Sequence, residues 1–338
     1  YLFFPIIESV DSMLACKIAT LCKCTPMIYT HARHLHVSFL SHSESETLPP
    51  FTDSVQIGQA DKKNAIQLLS TFRKNPKSLN YEYLKPDTCS VHDDVKIDTA
   101  LKRLIQNVQL KLGYEKHNQT LQLWIKLQVF LQRLLIPLHM FKYLIVQKFL
   151  IDTSYDTAQE YDYFPLHFSP ESSINTPAPF YIDQERVVDQ ILLTRRGNRQ
   201  LVLKEHPAVA GYRPIRFYMT MGKKPYVIFA PIKSNSIELV TRAETTYSVT
   251  GTACLEAFLL GKQFKQFGLN MLSAWCEHRE NVGKEQEPIE FIEDVLKVSG
   301  DYFLCSPKTQ PEHNALLFSN RNISAMCKNI KFYIAQTE

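Results

Sequence analysis

TTYSVTGTACLEAFLLGK, residues 245–262, reads as a strand, a tight glycine turn and then a helix. Gly251 can take a backbone conformation that other residues avoid, and its bare Cα lets a phosphate approach the main chain. Thr250 and Thr252 flank it with hydroxyls, and Glu256 lies one turn into the helix, placed to accept hydrogen bonds from a ribose or a sugar. Two earlier segments have the same form. QLVLKEHP (200–207) is a strand that ends on Lys204, Glu205 and His206, with Pro207 stopping it. PYVIFAPIKSNSIELV (225–240) is a strand to Ala230, followed by Ser234, Asn235 and Ser236 at the start of a helix. Ser and Asn there are ordinary helix caps, and the same hydroxyls and amides also suit an anion. Each strand end alone is unremarkable. Three in succession, in an open α/β sheet whose ligands bind at the strands' carboxyl ends, make a pocket rich in anion donors.

Outward from these segments, YDYFPLHF (161–168) is a further strand, YIDQERVVDQILLTRRG (181–197) a helix with Gly197 at its end, and KQFKQFG (262–268) a last strand. Short connections between them predict a doubly wound sheet. Residues 151–179, with prolines at 165, 170, 177 and 179, read as a hinge. Toward the N-terminus, YLFFPIIES (1–9) and TPMIYT (25–30) read as parallel strands around a helix at 11–23. VSFLSHS, FTDSVQIG and a helix DKKNAIQLLSTFRKN follow. Residues 76–96 are a polar loop, and 97–150 one or two long helices. The apolar stretch 121–150 carries Lys126, Arg133, Lys142 and Lys148, and Pro137 interrupts it, so it does not approach the ~20 apolar residues of a membrane span. It is expected either to pack as a buried helix pair on the N-terminal sheet or to lie at a membrane interface. Residues 281–338 show no pattern that places them.

The 338 residues suit two domains, expected here as 1–155 and 156–338. A net charge of +4 is too weak to argue for a nucleic-acid partner. Eight cysteines are spread along the chain with no CxxC pair, which predicts reduced thiols, a cytoplasmic setting and no structural metal. No D-x-D triad occurs, so nothing marks a divalent-metal site, and no cofactor is expected. The chain opens at Tyr1 without a basic n-region or a small-residue cleavage site, so a start upstream of Tyr1 is expected rather than a signal peptide.

FPLHFSPESS (164–173), LVLKEHPAVAGYRPIRFY (201–218) and SVTGTACLEAFLLGKQFKQFG (248–268), at their mutual spacing, resemble the C-terminal half of glycosyltransferases of the capsule and surface-polysaccharide biosynthesis family, whose relatives include Kdo transferases. The likeness is strong over about 161–268, fair over 1–40, and weak or absent elsewhere. It implies a GT-B fold: two Rossmann-like α/β domains facing across a cleft, the donor nucleotide in the second. His206 and Pro207 match a His-Pro motif of transferases that use CMP-activated acids, so a CMP-sugar such as CMP-Kdo is the favoured donor. Ser234 and Ser236 stand where such enzymes carry a Ser-Ser or Ser-Thr phosphate motif, here interrupted by Asn235. Gln263 replaces a usual proline.

On this reading the enzyme moves a sugar from a nucleotide donor to a glycan or glycolipid acceptor, with inversion and without a metal, at the cytoplasmic face of the inner membrane. His206, Ser234, Ser236 and the amides near Thr252 would stabilise the departing phosphate, with Lys204 and Arg213 adding positive charge and Glu205, Thr250, Gly251 and Glu256 completing the donor-binding set. The general base for the acceptor is expected from the N-terminal half, where Glu8 and Asp11 follow the first strand. His31 and Arg33 would touch the acceptor, and Glu171 the cleft or hinge. Two other classes fit the same architecture: a nucleotide-sugar 2-epimerase, and a non-catalytic subunit of polysaccharide assembly.

Overall fold

The computed structural model describes residues 1–5, 7, 10–32, 35, 37–43, 46–77, 138–139, 141–154, 159–167, 174, 178–195, 197–207, 210–302 and 319–337. Its centre is a five-stranded, all-parallel sheet: β4 (Tyr161–Pro165), β5 (Gln200–Lys204), β6 (Val227–Phe229), β7 (Thr245–Ser248) and β8 (Gln263–Gln266), in the order β6-β5-β4-β7-β8. The register runs from Tyr161↔Gln200 to Pro165↔Lys204 between β4 and β5, with Tyr163↔Thr246 joining β4 to β7. In chain order this is third-second-first-fourth-fifth, a doubly wound arrangement whose direction of winding reverses between β4 and β7. Leu201, Val202, Leu203 and Phe229 are wholly buried, as expected for parallel strands covered by helices on both faces.

Helices α4 (Gln184–Thr194) and α5 (Ile215–Lys223) cover one face, and α6 (Ser236–Arg242) and α7 (Ala253–Leu259) the other. Caps set where two of them start: Asp183 accepts from the Glu185 N–H, and Asn235 from the Ile237 N–H. A helix at 141–149, α3, joins the first face by burying Tyr143 and Val146 beside Tyr218 and Phe164. For the apolar stretch 121–150 the sequence leaves open packing on the N-terminal sheet or a membrane-interface position. Its described part packs on the five-stranded sheet instead, because its two buried side chains meet the aromatic surface of α5. Residues 78–137, with most of the expected helical segment, lie outside the described residues. Among the described residues no helix is long and apolar enough to cross a membrane.

The N-terminal sheet has three strands: β1 (Leu2–Phe4), β2 (Pro26–Ala32) and β3 (Val37–Ser41). Around α1 (Val10–Leu21), β1 and β2 are parallel, as the strand–helix–strand order predicts, whereas β3 returns antiparallel to β2. The first strand is shorter than expected and leaves Leu2 and Phe3 exposed. FTDSVQIG contributes a 3-10 turn at Pro50–Ser54.

The tail that the sequence does not place closes the structure. Helices α8 (Met271–Asn281) and α9 (Pro288–Val298) stack Trp275 and Phe291 against Phe258 of α7, and the same core takes in Phe39 of β3 and Ala65 of α2 (Gln59–Lys74). The last helix, α10 (Asn320–Thr337), returns to the N-terminal sheet, where Tyr333 packs on Met27 and Leu40. Trp275 donates its indole N–H to Asp294 at 2.8 Å inside this joint core. Trp275→Phe is expected to lose about 1–3 kcal/mol, because the Asp294 carboxylate is left short of a donor. Urea denaturation measures it.

Candidate functional site

All five strands point the same way, so the residues that follow β4, β5 and β7 gather at one end of the sheet. The crevice at the reversal between β4 and β7 is where such sheets bind ligands. His167 lies at this end of the sheet. It follows β4 by two residues, is 8% exposed, and was not singled out as a functional residue from the sequence. Its Nε2 accepts the Val249 N–H at 3.0 Å and lies 3.2 Å from the Ser248 Oγ. Ser248 Oγ in turn accepts the Gly251 N–H at 3.0 Å. Because the backbone amide can only donate, the imidazole is the tautomer protonated on Nδ1. A histidine near the end of the strand expected over 161–168 is the one signal in the sequence that points to it.

Burial, then the charges of Arg213 and His206, push the His167 pKa down to about 3, so the ring is neutral at physiological pH. The pH dependence follows from the sign of that shift. Below about 6.5 the unfolded chain takes up a proton that the folded chain refuses until about pH 3. This residue's stability contribution is therefore complete above pH 6.5 and declines at up to about 1.4 kcal/mol per unit as the pH falls toward 3. His167→Gln is expected to flatten that acid limb. Denaturation curves of both proteins from pH 7 to 4 test it, other groups cancelling in the difference.

The backbone of His167 is held as tightly as its ring. Its N–H donates to Gln184 Oε1 at 2.8 Å, and its carbonyl accepts from Gln184 Nε2 at 3.1 Å. Arg213 Nη2 donates to the same carbonyl. Arg213 also donates through Nε to Glu205 at 2.9 Å, and the Tyr218 hydroxyl and the His206 N–H each reach Glu205 at 2.8 Å. Glu205 is wholly buried. Burial raises its pKa, and the Arg213 charge leads the interactions that oppose the rise. Both residues were expected among the donor-binding groups. The structure places them as a buried ion pair that braces the β5 end against the β4 end.

Lys204 is buried at the last position of β5, and His206 is exposed just beyond. The packing around the His206 ring, with Lys204 and Arg213 nearby, lowers its pKa, so at neutral pH it offers a hydrogen bond rather than a charge. Gly251 is not among the glycines with positive φ, and closeness is what it provides. A Cβ there would stand 2.9 Å from His167 Cε1 and 3.0 Å from Ser248 Oγ. Thr252 precedes α7 and makes no side-chain cap bond, while the Thr250 carbonyl accepts from Asn270 at 3.2 Å. Glu256 is 2% exposed within α7.

Ser234, Asn235 and Ser236 stand at the start of α6, with Asn235 acting as the cap. Ser234 and Asn235 line a cavity of about 370 Å³ that runs along α6 to Arg242 and Tyr161. His167, His206 and Gly251 do not line it. On the N-terminal sheet, Asp11 is exposed in the first turn of α1. His31 lies inside β2 rather than after it, its Nδ1 2.9 Å from Ser38 Oγ across the strand pair. Glu8, Arg33 and Glu171 lie outside the described residues.

No protein-family model matches the chain, and no curated protein does. Among solved structures, the chain is similar to a KpsC beta Kdo 2,4 transferase of Thermosulfurimonas dismutans, with a TM-score of 0.40 and 10% identity over 85% of this chain and 76% of that one. It is similar also to a KpsC beta Kdo 2,7 transferase of the same organism, with a TM-score of 0.37 and 10% identity over 92% and 90% of the two chains.

Proposed function

We propose that this chain is a glycosyltransferase that moves a sugar from a nucleotide donor, with a CMP-activated acid favoured, to a capsule or surface-glycan acceptor. The observation that carries the reading is the cluster of strand ends at the β4–β7 reversal. There a neutral His167, the Ser248–Thr252 turn pressed onto it, and the His206 end of β5 meet at the ligand-binding edge of a doubly wound sheet. The resemblance of these three segments to the capsule family supports the same assignment.

In this mechanism residues 156–338 hold the nucleotide and 1–155 face the acceptor, as a GT-B pair. The anomeric carbon becomes cationic as the bond to the nucleotide phosphate breaks, and negative charge grows on the departing oxygen. His206, with Thr250 and Thr252 of the turn, donates hydrogen bonds to that charge, and Ser234 and Ser236 extend the donor set. Lys204 supplies positive potential from beneath. Glu256 meets the ribose, and Arg213 acts through the backbone it braces. A carboxylate from the acceptor side, Glu8 or Asp11, takes the acceptor proton, with His31, Arg33 and Glu171 around the acceptor. The reaction is inverting and needs no metal. A glycolipid acceptor would bring the enzyme to the cytoplasmic face of the inner membrane.

A thermal-shift titration with CMP, UDP and GDP tests the reading, because a ligand that binds only the folded chain raises its melting temperature. A shift with CMP that falls at least tenfold in apparent affinity on His206→Ala is expected. A shift confined to UDP or GDP would move the donor class, and no shift with any of the three would contradict the assignment.

A further inference from the structure

We infer that His167 is the positioning residue of the donor site, its imidazole Nε2 suspending the 248–251 turn in the one shape that admits a nucleotide phosphate. The inference rests on the reading above and adds to it a residue that need not touch the substrate. Two amides of the turn end on that single nitrogen. The Val249 N–H reaches it directly at 3.0 Å, and the Gly251 N–H reaches it through Ser248 Oγ, at 3.0 Å and then 3.2 Å. Ser248 Oγ uses a lone pair to accept from Gly251, which leaves its proton to donate to the ring.

The backbone that carries the ring is not free to follow the turn. Gln184 holds both the N–H and the carbonyl of His167, and Arg213, itself paired with Glu205, holds that carbonyl again. The anchor is thus set by α4 and by the β5 end, and the turn is drawn to it. The depth of that draw is visible at Gly251, where even a methyl group would stand 2.9 Å from the imidazole Cε1. Ring neutrality matters for the same reason, since a protonated Nε2 could accept neither hydrogen bond. The burial that keeps the pKa near 3 preserves the acceptor across the physiological range.

The test compares His167→Gln, His167→Asn and His167→Ala with the parent chain. Hydrogen exchange of the segment 247–253 reads the turn, and calorimetric titration with CMP, UDP and GDP reads the site. A glutamine Oε1 reaches about as far as Nε2 and can accept the Val249 N–H, whereas asparagine is too short. Glutamine is expected to keep slow exchange and to bind within about threefold of the parent. Asparagine and alanine are expected to speed exchange at Val249 and Gly251 at least tenfold and to weaken nucleotide binding at least tenfold. A structural role alone would lower stability in all three without this rescue.

Unchanged exchange in both the asparagine and alanine variants would overturn the inference. So would faster exchange with unchanged nucleotide affinity. If the parent bound none of the three nucleotides, the donor-site assignment would fail, and the exchange arm would still decide separately whether His167 holds the turn.

Discussion

Glu205→Ala is expected to cost about 3–5 kcal/mol of folding stability, because it leaves a buried partner charge uncompensated. Glu205 is wholly buried and takes three donors: Arg213 Nε at 2.9 Å, and the Tyr218 hydroxyl and the His206 N–H at 2.8 Å. Removing the carboxylate strands the Arg213 guanidinium, whose side chain is only 12% exposed, and a phenol beneath α5. It also loosens the grip of Arg213 on the His167 carbonyl, so nucleotide binding should weaken together with stability. The paired replacement Glu205→Leu with Arg213→Met should cost much less than the two single changes summed, since it removes both charges from the interior. Urea denaturation of the parent and of Glu205→Ala, Glu205→Leu, Arg213→Met and the double variant decides the point. A Glu205→Ala loss below about 1 kcal/mol would mean that the pair is solvated and braces nothing.

Gly251→Val is expected to weaken nucleotide binding about a hundredfold or more, equivalent to roughly 3 kcal/mol. The new side chain would meet His167 Cε1 at 2.9 Å and Ser248 Oγ at 3.0 Å from its first carbon alone. Neither neighbour can yield easily, because the Val249 N–H engages the His167 ring and Gly251's own N–H engages Ser248 Oγ. The turn must lift off the ring, forfeiting the Val249 hydrogen bond and the approach to the phosphate. Gly251→Ala should show the same effect in smaller degree. Calorimetric titration of the folded variants measures both, and binding equal to the parent's would place the phosphate elsewhere.

Much of the five-stranded sheet is legible in the sequence because each parallel strand is a short apolar run stopped by a turn residue. LVLK, VIF and TTYS carry that signal, and the structure ends them within a residue or two of the expected places. Strand direction is a different matter. VSFLS has the composition of any strand, and nothing local says that β3 returns antiparallel to β2. The shared core of Phe39, Ala65, Phe258, Trp275 and Phe291 joins segments far apart in the chain, so no window of sequence contains it. The return of α10 to the N-terminal sheet through Tyr333 escapes for the same reason.

At the site, the sequence yields the strand-end residues but not their partners. Glu205 and Arg213 look like two polar groups near a ligand until burial shows them holding each other. His167 lies within FPLHFSPESS, yet no feature of that segment foretells its hydrogen bond to Val249.

A crystal soaked with CMP tests the central claim most directly. The account predicts the phosphate within hydrogen-bond distance of the Thr250–Thr252 segment and His206, above the His167 ring at the β4–β7 reversal. A phosphate bound remote from both Gly251 and His206 would contradict it.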